Sequence, residues 1–133
     1  MAIRGKEFRY AVDLGAGDDV RTEDGTPLAA GVEWTPEHLL LAGLLRCSLK
    51  SLRHHARRAG IEVTHATGSG RALVAERESD GRYAVVEAEV AFDISLAPHP
   101  GTDELAELLE KAERDCFVGA SLTVKPTYRW NAG

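Results

Sequence analysis

Two cysteines, Cys47 and Cys116, carry the most distinctive chemistry in this sequence. Two thiols that meet in a folded protein can pair reversibly and serve redox chemistry, which depends on the thiolate form of the sulfur. Two thiols that stay apart are typically inert residues that fill space in a core. The sequence leaves both interpretations open, so the question for the fold is whether the two sulfurs come together.

The other reactive side chains do not form a recognisable site. Two thiols are too few for a tetrahedral zinc site, and no histidine has a ligand spacing to either cysteine that would complete one; the histidines are His38, His54, His55, His65 and His99. The serines lack the Gly-x-Ser-x-Gly context of a hydrolase nucleophile; those considered are Ser48, Ser51 and Ser121. We therefore expect no metal and no cofactor, and we place His54 and His55 at the solvated end of a helix.

Cys47 must be positioned by a long apolar segment, which predicts a helix from Thr35 to Ala59. Thr35 can cap the start, Pro36 suits the first helical position, and Gly60 suits the end. Leucines on nearly every face of the first half predict that this half is enclosed on most sides. Cys47 is therefore expected on a buried central helix.

A β-hairpin is predicted after this helix. Its strands are Ile61–Glu78 and Arg82–Leu96, and Asp80-Gly81 between them is a strong turn signal. Apolar residues alternate along the second strand, which predicts one buried face and one wet face. Small residues on one face of the first strand are expected to let the long helix approach closely; they are Gly68, Gly70 and Ala72.

Cys116 is expected at or just past the end of a second helix, which starts at Thr102 or Asp103. Ser121–Arg129 then predicts a last strand, and Pro126 suggests that this strand lies at a sheet edge.

Near the start of the chain, Lys6–Leu14 predicts a strand and Val20–Thr22 a short returning strand. The order of strands, long helix, hairpin, helix and strand indicates an α+β fold. No linker or repeat is evident, so residues 1–133 are expected to form a single domain.

Composition argues against several partners. The net charge of −5 and the pI of about 5.5 do not favour nucleic acid or an anionic membrane. No apolar run approaches the roughly 20 residues that span a bilayer, and the N-terminus lacks a signal-peptide pattern. We expect a cytoplasmic protein, in which thiols are normally kept reduced.

At the two cysteines, the sequence resembles the osmotically inducible protein C and organic hydroperoxide resistance (OsmC/Ohr) superfamily. Trp34–Cys47, with its proline, acid and cysteine, is similar to the signature helix of that superfamily. The segment from Cys116 to Leu122 is similar to the family's second cysteine motif, and the likeness covers essentially all of Trp34–Trp130.

This resemblance implies an α+β fold with antiparallel sheets around a long central helix, in an intertwined homodimer with two active sites at its interface. It implies a thiol-dependent peroxidase in which Cys47 is oxidised to a sulfenic acid by a small organic hydroperoxide. Cys116 would resolve that sulfenic acid into a disulfide, which an external dithiol would reduce. The family's acid corresponds to Glu37, and an arginine from the N-terminal hairpin region would pair with it.

Elementary chemistry supports a nearby cation, because a thiolate among leucines is unfavourable without one. The family's arginine commonly lies in a glycine-rich turn, but the corresponding turn here, residues 15–19, has no arginine. Arg21 after the turn is the preferred candidate and Arg9 is the alternative. Glu37 and Cys47 are ten residues apart, or roughly 15 Å along a helix, so we expect Glu37 to act through a bridging arginine or across a dimer interface.

An apolar wall is expected beside Cys47 and would favour organic hydroperoxides over hydrogen peroxide; its members are Leu44, Leu45 and Phe117. Phe117 and Gly119 stand where the family has a proline and a serine. These departures keep two alternatives open. One is a stress-related dimeric protein of the same fold that binds a small ligand without turnover, and the other is a structural role in which the thiols only pack.

Overall fold

In a computed structural model, the structure describes residues 5–31 and 33–133. The chain divides into two compact units, Met1–Thr35 and Pro36–Gly133. The first unit contains a short antiparallel hairpin of β1 (Val12–Leu14) and β2 (Val20–Thr22), with the 3-10 helix Ala16–Asp18 between them. The prediction for Val20–Thr22 is confirmed. The predicted strand Lys6–Leu14 is too long, because only its last three residues find a strand to pair with.

The second unit is built on helix α1 (Pro36–Arg58), which confirms the predicted long helix. The helix ends in two reversed hydrogen bonds, from Gly60 N–H to the Arg57 carbonyl and from Ile61 N–H to the Ala56 carbonyl. This pattern is a Schellman motif, which needs a residue in the left-handed region, and Gly60 supplies it with φ of 74°. The chain then turns directly into the sheet.

The predicted hairpin is confirmed as β3 (Glu62–Glu76) paired antiparallel with β4 (Tyr83–Ala97). Its turn is closed by Arg77 N–H to the Arg82 carbonyl at 2.8 Å, and Gly81 adopts φ of 69°. In β4 the predicted alternation holds, because the residues at even positions from Ala88 to Leu96 are buried.

Gly70 and Gly68 of β3 leave space for two different neighbours. A Cβ built at Gly70 would lie 3.5 Å from Leu41 Cδ2 and 3.6 Å from Leu45 Cδ1, so α1 does approach the sheet closely there. A Cβ at Gly68 would instead lie 2.8 Å from the Phe92 ring. Gly68 therefore makes room for a neighbouring strand's aromatic side chain.

Two further helices connect the hairpin to the last strand. They are α2 (Thr102–Arg114), close to the predicted second helix, and the five-residue α3 (Phe117–Ser121). The predicted strand Ser121–Arg129 is wrong in its position, because β5 covers Thr127–Ala132. The segment before it is used to leave α3 and reach the sheet.

The sheet has the order β3-β4-β5, and β5 pairs parallel with β4. The expectation of antiparallel sheets is therefore wrong for this sheet, which is mixed. A parallel neighbour requires a long crossover connection, which α2 and α3 provide. Pro126 is just outside the edge strand.

The core of this unit lies where α1, α2 and the buried face of β4 meet. Its α1 members come from the middle and second half of the helix: Leu44, Leu52 and Ala56, with the buried polar residues Ser48 and Ser51 beside them. In the first half, Leu44 is buried and the other leucines are partly buried; they are Leu39, Leu40, Leu41 and Leu45. No leucine of this half is exposed, which agrees with the prediction that it is enclosed on most sides.

Candidate active site

The fold brings the two cysteines together. Cys47 lies midway along α1 and is partly buried, whereas Cys116 is completely buried between α2 and α3. The side chains are close enough that the Cys116 thiol raises the pKa of Cys47, and both cysteines are free. A pair of neighbouring thiols can therefore form here from positions that are far apart in the sequence.

The first turn of α3 holds both sulfurs. Cys116 is the N-cap of this helix, and its sulfur accepts a hydrogen bond from Gly119 N–H at 3.4 Å, a role that Ser, Thr or Asp commonly fills. The next-door Val118 N–H donates to Cys47 Sγ at 3.4 Å. One short turn of backbone thus fixes the relative position of the two thiols.

Two hydroxyl groups complete the surroundings of Cys116. Ser48 Oγ lies 3.4 Å from Cys116 Sγ and 3.1 Å from the Tyr128 hydroxyl. Sequence reasoning considered Ser48 only as a hydrolase nucleophile and did not single out Tyr128. The available signal was the position of Ser48 four residues after Leu44, on the face of α1 that is buried.

Tyr128 is held in place by a row of aromatic rings. Its ring stacks on Trp130 with centroids 5.9 Å apart, and Trp130 stacks on Phe92 at 4.7 Å. Trp130 Nε1 also donates to Glu113 Oε2 at 2.9 Å, which ties β5 to α2. These contacts of β5 therefore hold the Tyr128 hydroxyl next to Ser48.

The site favours protonated groups. Burial is the largest cause that raises the pKa of the Cys47 thiol; the Val118 N–H lowers it, and Cys116 raises it further. Burial likewise raises the pKa of Tyr128 to about 12, against a hydrogen bond with Ser48 that lowers it. A thiolate at Cys47 thus needs more positive charge than these neighbours supply.

The charged residues expected at the site lie as follows. Glu37 is exposed in the first turn of α1, and the continuous helix keeps it roughly 15 Å along the axis from Cys47 of the same chain. Arg21 contacts Asp19 Oδ2 at 3.4 Å and the Gly25 carbonyl at 3.3 Å. Arg9 contacts Glu7 at 2.6 Å. The chain therefore gathers the two sulfurs without gathering Glu37 beside them.

The three residues expected to form an apolar wall beside Cys47 differ in exposure. Leu44 is buried, and a Cβ built at Gly119 would lie 3.6 Å from its Cδ1. Leu45 is partly buried, whereas the side chain of Phe117 is 57% exposed. Leu44 is therefore enclosed near α3, whereas Phe117 is largely open to solvent.

A second feature that sequence reasoning missed lies beside Cys116. The side chain of His55 is only 13% exposed, and its Nε2 donates to Asp115 Oδ2 at 2.8 Å. The expectation that both adjacent histidines are solvated is therefore wrong for His55, because Asp115 at the end of α2 faces it. This contact joins α1 to the residue that precedes Cys116.

Within residues 5–31 and 33–133, no group of three or more His, Cys, Asp or Glu side chains is arranged to hold a metal ion. In the same described residues, no helix has both the length and the apolar character to cross a membrane.

Comparisons with known proteins agree on the fold. A family model described as OsmC-like protein matches residues 29–131. No curated protein sequence gives a significant match.

Three solved structures illustrate the likeness. An OsmC-like protein of unknown function from Vibrio cholerae has a TM-score of 0.77 at 14% identity, covering 93% of this chain and 99% of that chain. An organic hydroperoxide resistance protein from Elizabethkingia anophelis, with thiocyanate bound, has a TM-score of 0.70 at 18% identity, covering 98% and 100%. The organic hydroperoxide resistance protein OhrB of Bacillus subtilis has a TM-score of 0.56 at 18% identity, covering 94% and 96%. At these identities the likeness establishes the fold.

Proposed function

The chain belongs to the OsmC-like protein family, and on that premise we propose that it is a thiol-dependent peroxidase of small organic hydroperoxides. The observation that carries the proposal is the meeting of Cys47 and Cys116 at the first turn of α3. Two of the similar structures are organic hydroperoxide resistance proteins, which supports the substrate class.

The difference in exposure between the two cysteines supports the roles that we propose for them. Cys47 is partly exposed and can meet a peroxide, whereas Cys116 is fully buried. The Cys47 thiolate attacks the distal peroxide oxygen, the O–O bond breaks, and the alkoxide leaves as an alcohol after taking a proton. Cys47 is then a sulfenic acid, which condenses with the Cys116 thiol to give a disulfide and water. An external dithiol reduces the disulfide and is itself oxidised.

The raised pKa of Cys47 means that the thiolate must be stabilised by a cation. We assign this task to Arg21, with Arg9 as the alternative, and we assign Glu37 to hold the guanidinium. Because Glu37 is far along α1 from Cys47 of its own chain, the assignment favours a site that a second copy completes.

A homodimer is the proposed assembly. Leu39, Leu40 and Leu41 of α1 are only partly buried in the chain, and the first unit carries exposed apolar side chains that a second copy can cover; they include Phe8, Tyr10, Val12 and Leu14. The family model crosses the boundary between the two compact units, which supports the assignment of residues 1–133 to one domain. A cytoplasmic location, and no nucleic-acid or membrane partner, complete the proposal.

The test is consumption of tert-butyl hydroperoxide with dithiothreitol as reductant. Wild type and a Ser51→Ala control should consume the peroxide, and Cys47→Ser should not exceed the rate without protein. Equal rates for wild type and Cys47→Ser would exclude Cys47 as the reacting thiol and with it this function.

A second function has one observation in its favour. The raised pKa of Cys47 suits an unreactive thiol, as in a family member that binds a small apolar ligand without turnover. Titration of the thiols separates the two: an apparent pKa of Cys47 well below the free value of about 8.5 favours the peroxidase, and a value above it favours the binding protein.

A further inference from the structure

We propose that the hydroxyls of Ser48 and Tyr128, here called the hydroxyl pair, prepare Cys116 to attack the Cys47 sulfenic acid. Ser48 acts on the reacting sulfur directly, and Tyr128 is a positioning residue that acts through Ser48. The inference rests on the proposed peroxidase function for its kinetic test, and it has a second test that needs no peroxide.

The geometry of the hydroxyl pair supports this role. Ser48 is completely buried, and its hydroxyl lies 3.4 Å from Cys116 Sγ and 3.1 Å from the Tyr128 hydroxyl. Cys116 is also completely buried and already accepts Gly119 N–H at 3.4 Å. A buried thiolate is unfavourable unless hydrogen-bond donors face it, and Ser48 is the second donor within reach.

The chemistry of the step fixes the direction of these hydrogen bonds. As Cys116 loses its proton, its sulfur can only accept, so the Ser48 hydroxyl must donate to it. Ser48 Oγ is then free to accept, and the Tyr128 O–H donates to it. The Cys116 sulfur forms a bond to the Cys47 sulfur, the S–O bond of the sulfenic acid breaks, and hydroxide leaves as water with the proton that Cys116 gave up.

Gly119 lies next to the hydroxyl pair and leaves space for it. A Cβ at this position would lie 3.2 Å from the Tyr128 hydroxyl, closer than most side-chain contacts, and 3.5 Å from Cys116 Sγ. The glycine that departs from the family's serine therefore leaves room for the Tyr128 hydroxyl beside Cys116.

The kinetic test follows the lifetime of the Cys47 sulfenic acid after one equivalent of tert-butyl hydroperoxide, trapped at set times with dimedone and read by mass spectrometry. Ser48→Ala should lengthen the lifetime roughly tenfold, as expected for loss of a hydrogen bond to a charged group. Tyr128→Phe should lengthen it a few-fold. The matched control is Ser51→Ala on the same helix, whose hydroxyl is buried and has no hydrogen-bond partner in the described residues; its lifetime should stay at the wild-type value.

A double-mutant cycle separates this role from general damage to the fold. Gly119→Ala crowds the Tyr128 hydroxyl and should slow resolution in the wild-type background. In the Tyr128→Phe background the hydroxyl is gone, so the same change should have little further effect. Additive effects would contradict the inference.

The second test uses Cys47→Ser protein, in which Cys116 is the remaining cysteine. Its apparent pKa is read from thiolate absorbance, below the pH at which Tyr128 ionises. Adding Ser48→Ala should raise that pKa by about one pH unit, and adding Ser51→Ala should leave it unchanged. If Ser48→Ala matches Ser51→Ala in both tests, the inference is overturned. If wild type forms no sulfenic acid, the peroxidase proposal fails, and the titration still decides the role of the hydroxyl pair.

Discussion

The sulfurs of Cys116 and Cys47 differ in how deeply they are buried and in which groups surround them. Cys116 is enclosed by α1, the junction of α2 and α3, and β5, and its sulfur has both a backbone donor and a hydroxyl neighbour. Cys47 is partly exposed and its pKa is raised. The described residues thus enclose the Cys116 thiol and supply it with hydrogen-bonding neighbours, whereas the Cys47 thiol is accessible and lacks a neighbouring cation among the contacts described above.

This difference indicates where the cation that the proposed chemistry of Cys47 needs must come from. The groups that contact Cys116 Sγ in the described part of the chain, Ser48 and Gly119, belong to the second compact unit. In the proposed mechanism, Arg21 is the cation that Cys47 needs for peroxide chemistry, and Glu37 holds the guanidinium. Glu37 cannot reach Cys47 along its own helix. Peroxidase activity is therefore expected to depend on assembly, whereas the state of Cys116 is not.

The largest expected effect separates the two thiols by their roles. Cys116→Ser should retain the first oxidation of Cys47 but lower steady-state turnover by roughly a thousandfold or more, because an intramolecular thiol is far more effective than one in solution. The measurement is peroxide consumption per protein, in the first turnover and at steady state. Turnover equal to wild type would remove Cys116 from the mechanism.

The second effect tests the enclosed side of the comparison. Leu44 is buried next to α3, so Leu44→Ala should lower the free energy of unfolding by about 3 kcal/mol. Leu40→Ala, one turn earlier at a partly exposed position, should cost about 1 kcal/mol in dilute protein, where the proposed dimer would dissociate. Urea unfolding of both variants measures the difference. Equal costs under those conditions would contradict the contrast between the buried position of Leu44 and the partly exposed position of Leu40.

The third effect tests the open side. If Arg21 supplies the cation, Arg21→Gln should raise the pKa of Cys47 and slow its alkylation at neutral pH at least about tenfold, since the thiolate is the reactive form. Arg9→Gln is the matched control and should change the rate little. The measurement is iodoacetamide labelling of Cys47 in Cys116→Ser protein at concentrations that would favour the proposed dimer. A large effect of Arg9→Gln alone would transfer the role to Arg9.

The smallest effect concerns the link from α1 to the residue before Cys116. The Arg114 guanidinium, and then His55, hold the pKa of Asp115 below its usual value. A lowered pKa stabilises the fold above the unfolded-state value, and this contribution is lost as pH falls through the lowered value. Because Asp115 is more than one-third exposed, Asp115→Asn should cost only about 1 kcal/mol at pH 7. Urea unfolding at pH 7 and in acid should show the difference from wild type disappearing in acid.

Long periodic segments made much of the fold predictable. The 23 residues of α1 and the alternation along β4 repeat their patterns often enough to identify the elements. The five-residue α3 is too short to show a period, so the last strand was placed too early. The parallel pairing of β5 with β4 depends on the path of the crossover, which no local pattern encodes.

The candidate site was predictable only where a motif carried it. The resemblance brought Cys47 and Cys116 together, and the structure places them side by side. Ser48 and Tyr128 are 80 positions apart, and their contact depends on the register of β5 against β4. A sequence pattern does not report that register, so the hydroxyl pair became visible only in the fold.

The most direct measurement is the state of the two sulfurs after reduced protein meets one equivalent of tert-butyl hydroperoxide. Peptide mapping by mass spectrometry should find a disulfide between Cys47 and Cys116, formed as fast as the peroxide disappears. If both thiols remain free to alkylate while the protein stays folded and in the proposed dimer, the two neighbouring sulfurs do not carry out peroxide reduction.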